Sequence, residues 1–269
     1  MIFRMKAIDL VRMVELANIS TKVIQKTKDV VGDIVFDVKN DEIVSEFLDE
    51  SMILYGRIRV KKGFKVIEEG ALPIANLSQF IKFVKLFNPT DEIKIYLDNE
   101  HIVLERELPQ KIVRVRRLDD KVVEEIRNRV KPFSLLRKEE NIWKGEKYTW
   151  ENYFTILSDK FKDVLSDLKV LGGEYRFPLQ LTSEGVRFNV ASEGREYEID
   201  RKLEVLKLVC KTSEGVKGVY GYGMDGILDV LDGKLNVWMA ENDSPLLIER
   251  LDEGDGISAV YLLAPILEG

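Results

Sequence analysis

The sequence predicts an α+β fold of two similar domains, each with two helices on one face of an antiparallel sheet. Two observations lead there. The stretch Leu118 to Trp150 is densely charged and interrupted by Pro132 and Gly145, as a connector is. The segments it separates, residues 1–117 and 151–269, run through one plan: helix, hairpin, further strands, helix, hairpin, final strand. Two helices and many strands per segment are accommodated when the helices cover one sheet face. The halves hardly match residue for residue, so the repeat is one of pattern.

Composition narrows the function. The chain is 45% hydrophobic and 33% charged, as a globular protein with a charged surface is. It has no run of about 18 apolar residues, and Arg12 and Glu15 interrupt the apolar N-terminal stretch, so neither a membrane span nor a signal peptide is expected there. An intracellular protein is expected. A net charge of −6 argues against gripping nucleic acid by overall charge and leaves a local basic surface open. One Cys excludes an internal disulfide framework. One His excludes HExxH and His-rich metal sites and leaves no spare histidine for a Ser-His-Asp triad. That residue, His101, falls in a turn and reads as solvated.

In the first half, Met1–Ala7 reads as an edge strand. Ile8–Ile19 carries polar residues at Asp9, Arg12, Glu15 and Asn18, a spacing that predicts an amphipathic helix. Strands are expected at Asp33–Val38 and Ile43–Leu48 around an Asn40-Asp41 turn, and at Met52–Val60, where Gly56 suggests a bend or bulge. Asn76 and Gln79 form a capping-box start for a second helix that stops at Asn88-Pro89. Ile93–Leu97, Ile102–Arg106 and Lys111–Arg117 complete the half; the last alternates apolar and basic residues. In the second half, a helix runs from Ser158 to Gly172-Gly173. Strands follow at Tyr175–Leu181, Val186–Ala191, Glu196–Ile199 and Leu203–Cys210. A short helix at Met224–Leu231 precedes strands at Leu235–Met239, Pro245–Glu249 and Ile257–Leu263.

The C-terminal run is specific in combination. Ser244-Pro-Leu-Leu-Ile-Glu249, the acidic-glycine turn Asp252–Gly256, and Tyr261-Leu-Leu-Ala-Pro265 with Glu268 resemble the end of PCNA-type DNA sliding clamps. Phe154–Leu165 and Glu184–Phe188 resemble the start of that family's second domain, and the order of elements agrees along nearly the whole chain. The resemblance implies the DNA-clamp fold and a ring of three subunits that encircles duplex DNA. Such a ring tethers DNA polymerase, a clamp loader and other peptide-motif clients, and has no catalytic residues, cofactor or metal. It implies a cytoplasmic location in a prokaryotic or virus-infected cell and a nuclear one in a eukaryote.

The resemblance also assigns residues. DNA-facing candidates on the helices are Arg12, Lys82, Lys85, Lys160, Lys162 and Lys169. The fourth helix departs from the family in carrying Asp225, Asp229 and Asp232. Subunits would join through Lys111, Val113, Arg114, Val115 and Arg116 on one edge. The other edge would be Val186–Ser192, with Val186, Arg187, Phe188 and Val190; Arg187 and the nearby Glu193 show no evident complementarity to it. A client-peptide pocket would draw on Met52, Leu54, Val130, Phe133, Pro245, Ala264, Pro265 and Ile266. The connector is longer than the family's, and Lys121–Val130 can form a helical turn or two.

A different class of function rests on Gly221-Tyr-Gly-Met-Asp-Gly226, which satisfies G-x-G-x-x-G before a short helix. A nucleotide-dependent enzyme is therefore the alternative, although no βαβ unit surrounds the loop. A specialised subunit of a heteromeric clamp is a second alternative. Asp252 and Asp255 read as turn formers rather than cation ligands.

Overall fold

A computed structural model of the chain describes residues 1–269 apart from 24, 25, 30, 31, 50, 134, 171–175, 192–197, 222 and 267–269. The Gly172-Gly173 helix stop, Ser192, Glu193, Tyr222 and Glu268 lie outside the described residues, as do the side chains of Lys169 and Val190. The chain divides into two compact units, Met1–Lys131 with Asp252–Ala259 and Pro132–Leu251 with Val260–Gly269. The predicted connector is thereby shared between the two.

In the first unit, β1 (Ile2–Lys6) leads into α1 (Ala7–Glu15) and a hairpin, β2 (Ser20–Val23) and β3 (Lys26–Asp29). Then come β4 (Ile34–Val38), β5 (Ile43–Leu48), β6 (Leu54–Val60), β7 (Phe64–Glu68), β8 (Gly70–Ile74) and α2 (Leu77–Val84). β9 (Glu92–Asp98), β10 (His101–Arg106), β11 (Lys111–Arg116) and α3 (Asp120–Val130) complete it. One sheet runs β11-β10-β9-β1-β7; β6-β5-β4-β8 are neighbours in another. The predicted edge strand β1 is interior, because β7 pairs with its second side.

Local chemistry explains the helices. α1 buries Ala7, Leu10, Met13 and Val14, and α2 buries Leu77, Phe80, Ile81 and Val84. Asn76 caps α2 by accepting from the Gln79 N–H at 3.0 Å. The capping box is not closed by Gln79, because the Asn76 N–H donates to Asp33 instead. α3 is a full eleven-residue helix, longer than the expected turn or two. Asp119 accepts from the Lys121 N–H at its start, and Ile126 packs with Leu118 against Val35 of β4. Burying a side chain such as Ile126 contributes roughly 1.5–3 kcal/mol. Gly56 marks no bulge, since β5 and β6 pair in continuous register. It sits opposite Phe47, and a Cβ there would lie 2.1 Å from the Phe47 ring.

A 3-10 turn, Lys131–Phe133, precedes the second unit's strands β12 (Arg137–Glu139), β13 (Ile142–Lys144) and β14 (Thr149–Trp150). β15 (Asn152–Leu157), α4 (Ser158–Val170), β16 (Phe177–Thr182), β17 (Gly185–Ala191), β18 (Glu198–Lys202), β19 (Lys207–Val209) and β20 (Val216–Tyr220) follow. α5 (Met224–Val230), β21 (Lys234–Met239), β22 (Leu246–Arg250) and β23 (Ile257–Leu263) come last among the described elements. The strand orders are β18-β17-β16-β20 and β19-β15-β21-β22-β23. Phe161 of α4 meets Phe154 of β15 at 6.1 Å and Phe177 of β16 at 5.5 Å, both edge-on. One aromatic side chain thus fixes the helix to both sheets.

Strands β12–β14 form a small sheet within the predicted connector. Lys138 reaches the buried Glu249 of β22 at 2.5 Å, over the rings of Trp143 and Trp238. The Trp150 indole N–H donates to the Pro245 carbonyl at 2.8 Å. Glu139 accepts from Lys144, and that hydrogen bond holds its carboxyl below the usual carboxylate range. A depressed folded-state value stabilises above the unfolded one and is lost as pH falls. The Glu139–Lys144 bond is therefore expected to be lost as pH falls below about 4.5, read as a Trp143 emission change that is smaller in Glu139→Gln.

Candidate functional surfaces

The helices lie in pairs, α1 beside α2 and α4 beside α5. Most of the predicted DNA-facing cations have local partners. Arg12 pairs with Asp255 at 3.0 Å, Lys85 with Glu15 at 2.8 Å and Lys160 with Glu204 at 3.7 Å. Lys162 is half-buried and donates to the Leu231 carbonyl at 3.1 Å. Lys82 is exposed, and Lys169 lies on α4 with its side chain outside the described residues. Exposed ion pairs contribute little, roughly 0–1 kcal/mol, so such cations can exchange a carboxylate for a phosphate at small cost. Asp232 of the acidic fourth helix region pairs with the buried Arg250 at 2.7 Å, while Asp229 is exposed. At least one of the three acids therefore compensates a core cation.

The strand edges correct the sequence reading. β11 is an edge, as expected, but β17 is interior: β16 and β18 pair with its two sides. Val186, Arg187, Phe188 and Val190 therefore cannot receive another strand, and Val186 and Phe188 are core residues. Among the described residues the outer strand is β18. On the opposite side, β20 is capped: its Lys217 N–H donates to Asn242, and its Lys217 and Val219 carbonyls accept from Asp243 and Ile266.

Hydrogen-bond phase shows which groups point outward. The Arg117 N–H donates to the Glu100 carbonyl, so along the β10–β11 register Val115 and Val113 face β10. Ile112, Arg114 and Arg116 turn their backbone groups outward, and their side chains are exposed. Likewise the Leu203 N–H donates to the Val186 carbonyl, so Glu198, Asp200 and Lys202 of β18 face away from β17 and are exposed. One edge is basic and the other largely acidic.

The client candidates fall in both units. Met52 is 66% exposed with φ 57°, on a turn held by the buried Asp49. That carboxylate accepts from the N–H groups of Ser51, Ile53 and Leu54. Leu54 is fully buried and Val130 nearly so, so both are packing residues rather than an open peptide surface. Phe133, Pro245, Ala264, Pro265 and Ile266 are half-buried. The sequence reading missed Asp49, a short polar residue just before a turn, whose acceptor role is the available signal.

Solved structures with the same arrangement are found although no family model matches the sequence and no curated protein is similar to it. Proliferating cellular nuclear antigen from Entamoeba histolytica superposes with a TM-score of 0.72 at 13% identity, covering 99% of this chain and 98% of that one. A. fulgidus PCNA, solved with the C-terminal region of FEN-1 bound, gives 0.71 at 13% identity and full coverage of both. A PCNA2–PCNA3 complex from Sulfolobus tokodaii gives 0.68 at 12% identity, again over both whole chains. The chain has the PCNA-type clamp fold.

Within the clamp fold the glycine loop loses its nucleotide context. Gly221–Gly226 leaves β20, which is antiparallel to β16, and enters a seven-residue helix. A dinucleotide site needs a parallel strand feeding a longer helix. Gly223 supplies a left-handed turn, φ 94°, at the start of α5, and Gly226 is buried inside that helix. Asp252 accepts from the N–H groups of Gly254 and Gly256, which is the turn expected of it.

Proposed function

We propose that the protein is a DNA sliding clamp: three copies close a ring around duplex DNA and tether polymerase and other replication and repair proteins. The observation that carries this reading is the fold likeness, which extends over at least 98% of each clamp chain and of this one. Clamps act by topology, so modest cationic contacts suffice and base readout is unnecessary.

The edge strands support self-assembly. Antiparallel pairing of β11 with β18 of a second copy sets Arg114 opposite Asp200, Arg116 opposite Glu198 and Ile112 opposite Lys202. Parallel pairing would set Arg116 against Lys202. Opposite charges directly across strands stabilise, and like charges destabilise. This complementarity within one sequence favours a homotrimer over a subunit that needs paralogues. Peptide-motif clients would meet the exposed Met52 turn or the Pro245 and Ala264–Ile266 surface.

Light scattering tests the ring. Three copies of the 31.0 kDa chain make 93 kDa, and that particle is expected to stay on a nicked circle and slide off the linearised DNA. A concentration-independent 31.0 kDa species would sink the homotrimer.

A further inference from the structure

We infer that copies of the chain meet by more than their paired strands: Leu86 of one copy enters a cavity between α4 and β18 of the next, beside a carboxylate, Glu204, that two lysines share. The occupant rests on the ring reading; the cavity belongs to the single chain. Its volume is about 150 Å³, several times the roughly 30 Å³ that a water takes in the liquid. Ile156, Val164 and Leu203 give it an apolar, buried floor. Lys160 and Arg201 line it further, with one acid, Glu204. Such a floor favours an apolar side chain over a small ion.

Strand register brings Leu86 there. The proposed β11–β18 pairing sets Ile112 opposite Lys202, each with its backbone groups turned toward the other strand. One residue along, Lys111 stands opposite Leu203 as a non-hydrogen-bonded pair, the kind whose Cα atoms lie about 4.5 Å apart. Side chains alternate along a strand, so these two share the face that carries the helices. Lys111 lies over the Phe87 ring, 5.0 Å from its centre, and Leu203 lines the cavity with Val164 of α4. The Lys111 ammonium donates to the Leu86 carbonyl, which ties Leu86 to the start of β11. Phe87 is buried, whereas Leu86 is 54% exposed. The single chain thus leaves outside its core an apolar side chain that a second copy can cover. Charge follows the same register. Within one copy Glu204 is 86% exposed and lies 3.7 Å from Lys160. Lys111 arrives from the other copy as a further ammonium beside Lys160 and Arg201, and like charges set together disfavour a partner. A carboxylate has acceptor sites enough for both lysines, so Glu204 is what admits β11 of a second copy.

The test follows dissociation of the full-length protein by light scattering on dilution. Leu86→Ala should weaken each interface about thirtyfold, as truncating a leucine in a filled cavity does. Ile67→Ala should leave it unchanged, because Ile67 is similarly exposed but neighbours β7, at the opposite edge of the sheet from β11. Glu204→Gln should weaken the interface about tenfold, the effect of one charge-assisted hydrogen bond. Lys160→Gln, which leaves the carboxylate to Lys111, should not weaken it. Leu86 and Glu204 are exposed in the single chain, so their variants should melt with wild type once diluted to monomers, which excludes misfolding as the cause. A trimeric wild type whose dissociation Leu86→Ala does not change would overturn the socket and leave the ring standing. Equal weakening by Glu204→Gln and Lys160→Gln, or none by the former, would overturn the shared carboxylate. A wild type that is monomeric at every concentration would sink the ring and this contact with it.

Discussion

Changing Arg114 and Arg116 together to glutamate is expected to convert a 93 kDa particle, three copies of the 31.0 kDa chain, into monomers. The reasoning is local. Both side chains are exposed on β11, beside backbone groups that point away from β10. In the proposed pairing they face Glu198 and Asp200. Each direct cross-strand charge pair contributes about 0.2–1 kcal/mol, and a like-charged pair costs a similar amount. Two reversals therefore weaken each interface by roughly 1–4 kcal/mol, about fivefold to a thousandfold in dissociation constant. A closed ring contains three such interfaces, so the losses compound. Rescue separates charge from misfolding. Arg116→Glu alone should weaken the ring, and adding Glu198→Arg in the same chain should restore it. Glu198 suits the swap because its partner within the subunit is the neutral Asn189, at 2.7 Å. A double variant that still scatters as 93 kDa would eliminate the β11–β18 pairing.

Glu249→Ala is expected to cost the second unit about 3 kcal/mol. Glu249 is nearly buried and accepts from Lys138 at 2.5 Å, Trp238 at 3.2 Å and Asn236 at 3.3 Å. Truncation leaves two buried donors without their acceptor and an ammonium beside two indole rings without its counter-charge. Lys138 is about one-third exposed, so part of its charge finds water. At roughly 2–4 °C per kcal/mol for a domain of this size, the unit's melting temperature should fall by about 6–12 °C. Glu249→Gln keeps an acceptor but not the charge and should lose less. Hydrogen exchange should also rise at β12 and β13, because Lys138 is a principal tie between the small sheet and β22. An alanine variant that melts with wild type and keeps β12 protected would refute the assignment.

What the sequence made legible was local. Helix positions follow from spacing within a dozen residues, and the Asn76 cap lies next to the helix it starts. The acidic-glycine turn and the Ser244–Glu249 strand carry their own signals. Sheet position is not local. β17 alternates as a strand should, and nothing in its residues says that β18 covers its outer side. β1 looked like an edge for the same reason, because β7 comes some sixty residues later in the chain. Leu54 reads equally well as pocket lining or as core, and packing decides for core. The connector misled most, since its charge suggested a strap. Its few apolar residues are nevertheless placed where α3 meets β4 and where Trp143 and Trp150 anchor the small sheet. Glu249 was legible as a motif letter; two of its donors, Asn236 and Trp238, come from the adjacent strand β21, but Lys138 comes from a strand far earlier in the chain.

The capped edge of β20 has a consequence for direction. With that side closed, the β18-β17-β16-β20 sheet leaves β18 as its free edge among the described residues, and in the proposed ring its partner would be a different strand, β11. Two unlike edges make a head-to-tail contact, which repeats around a circle without reversing. A ring assembled this way has no twofold axis in its plane, and its front differs from its back. In the proposed ring, an enzyme that recognised the front would be aimed one way along the duplex, and orientation would pass from clamp to client without any base being read.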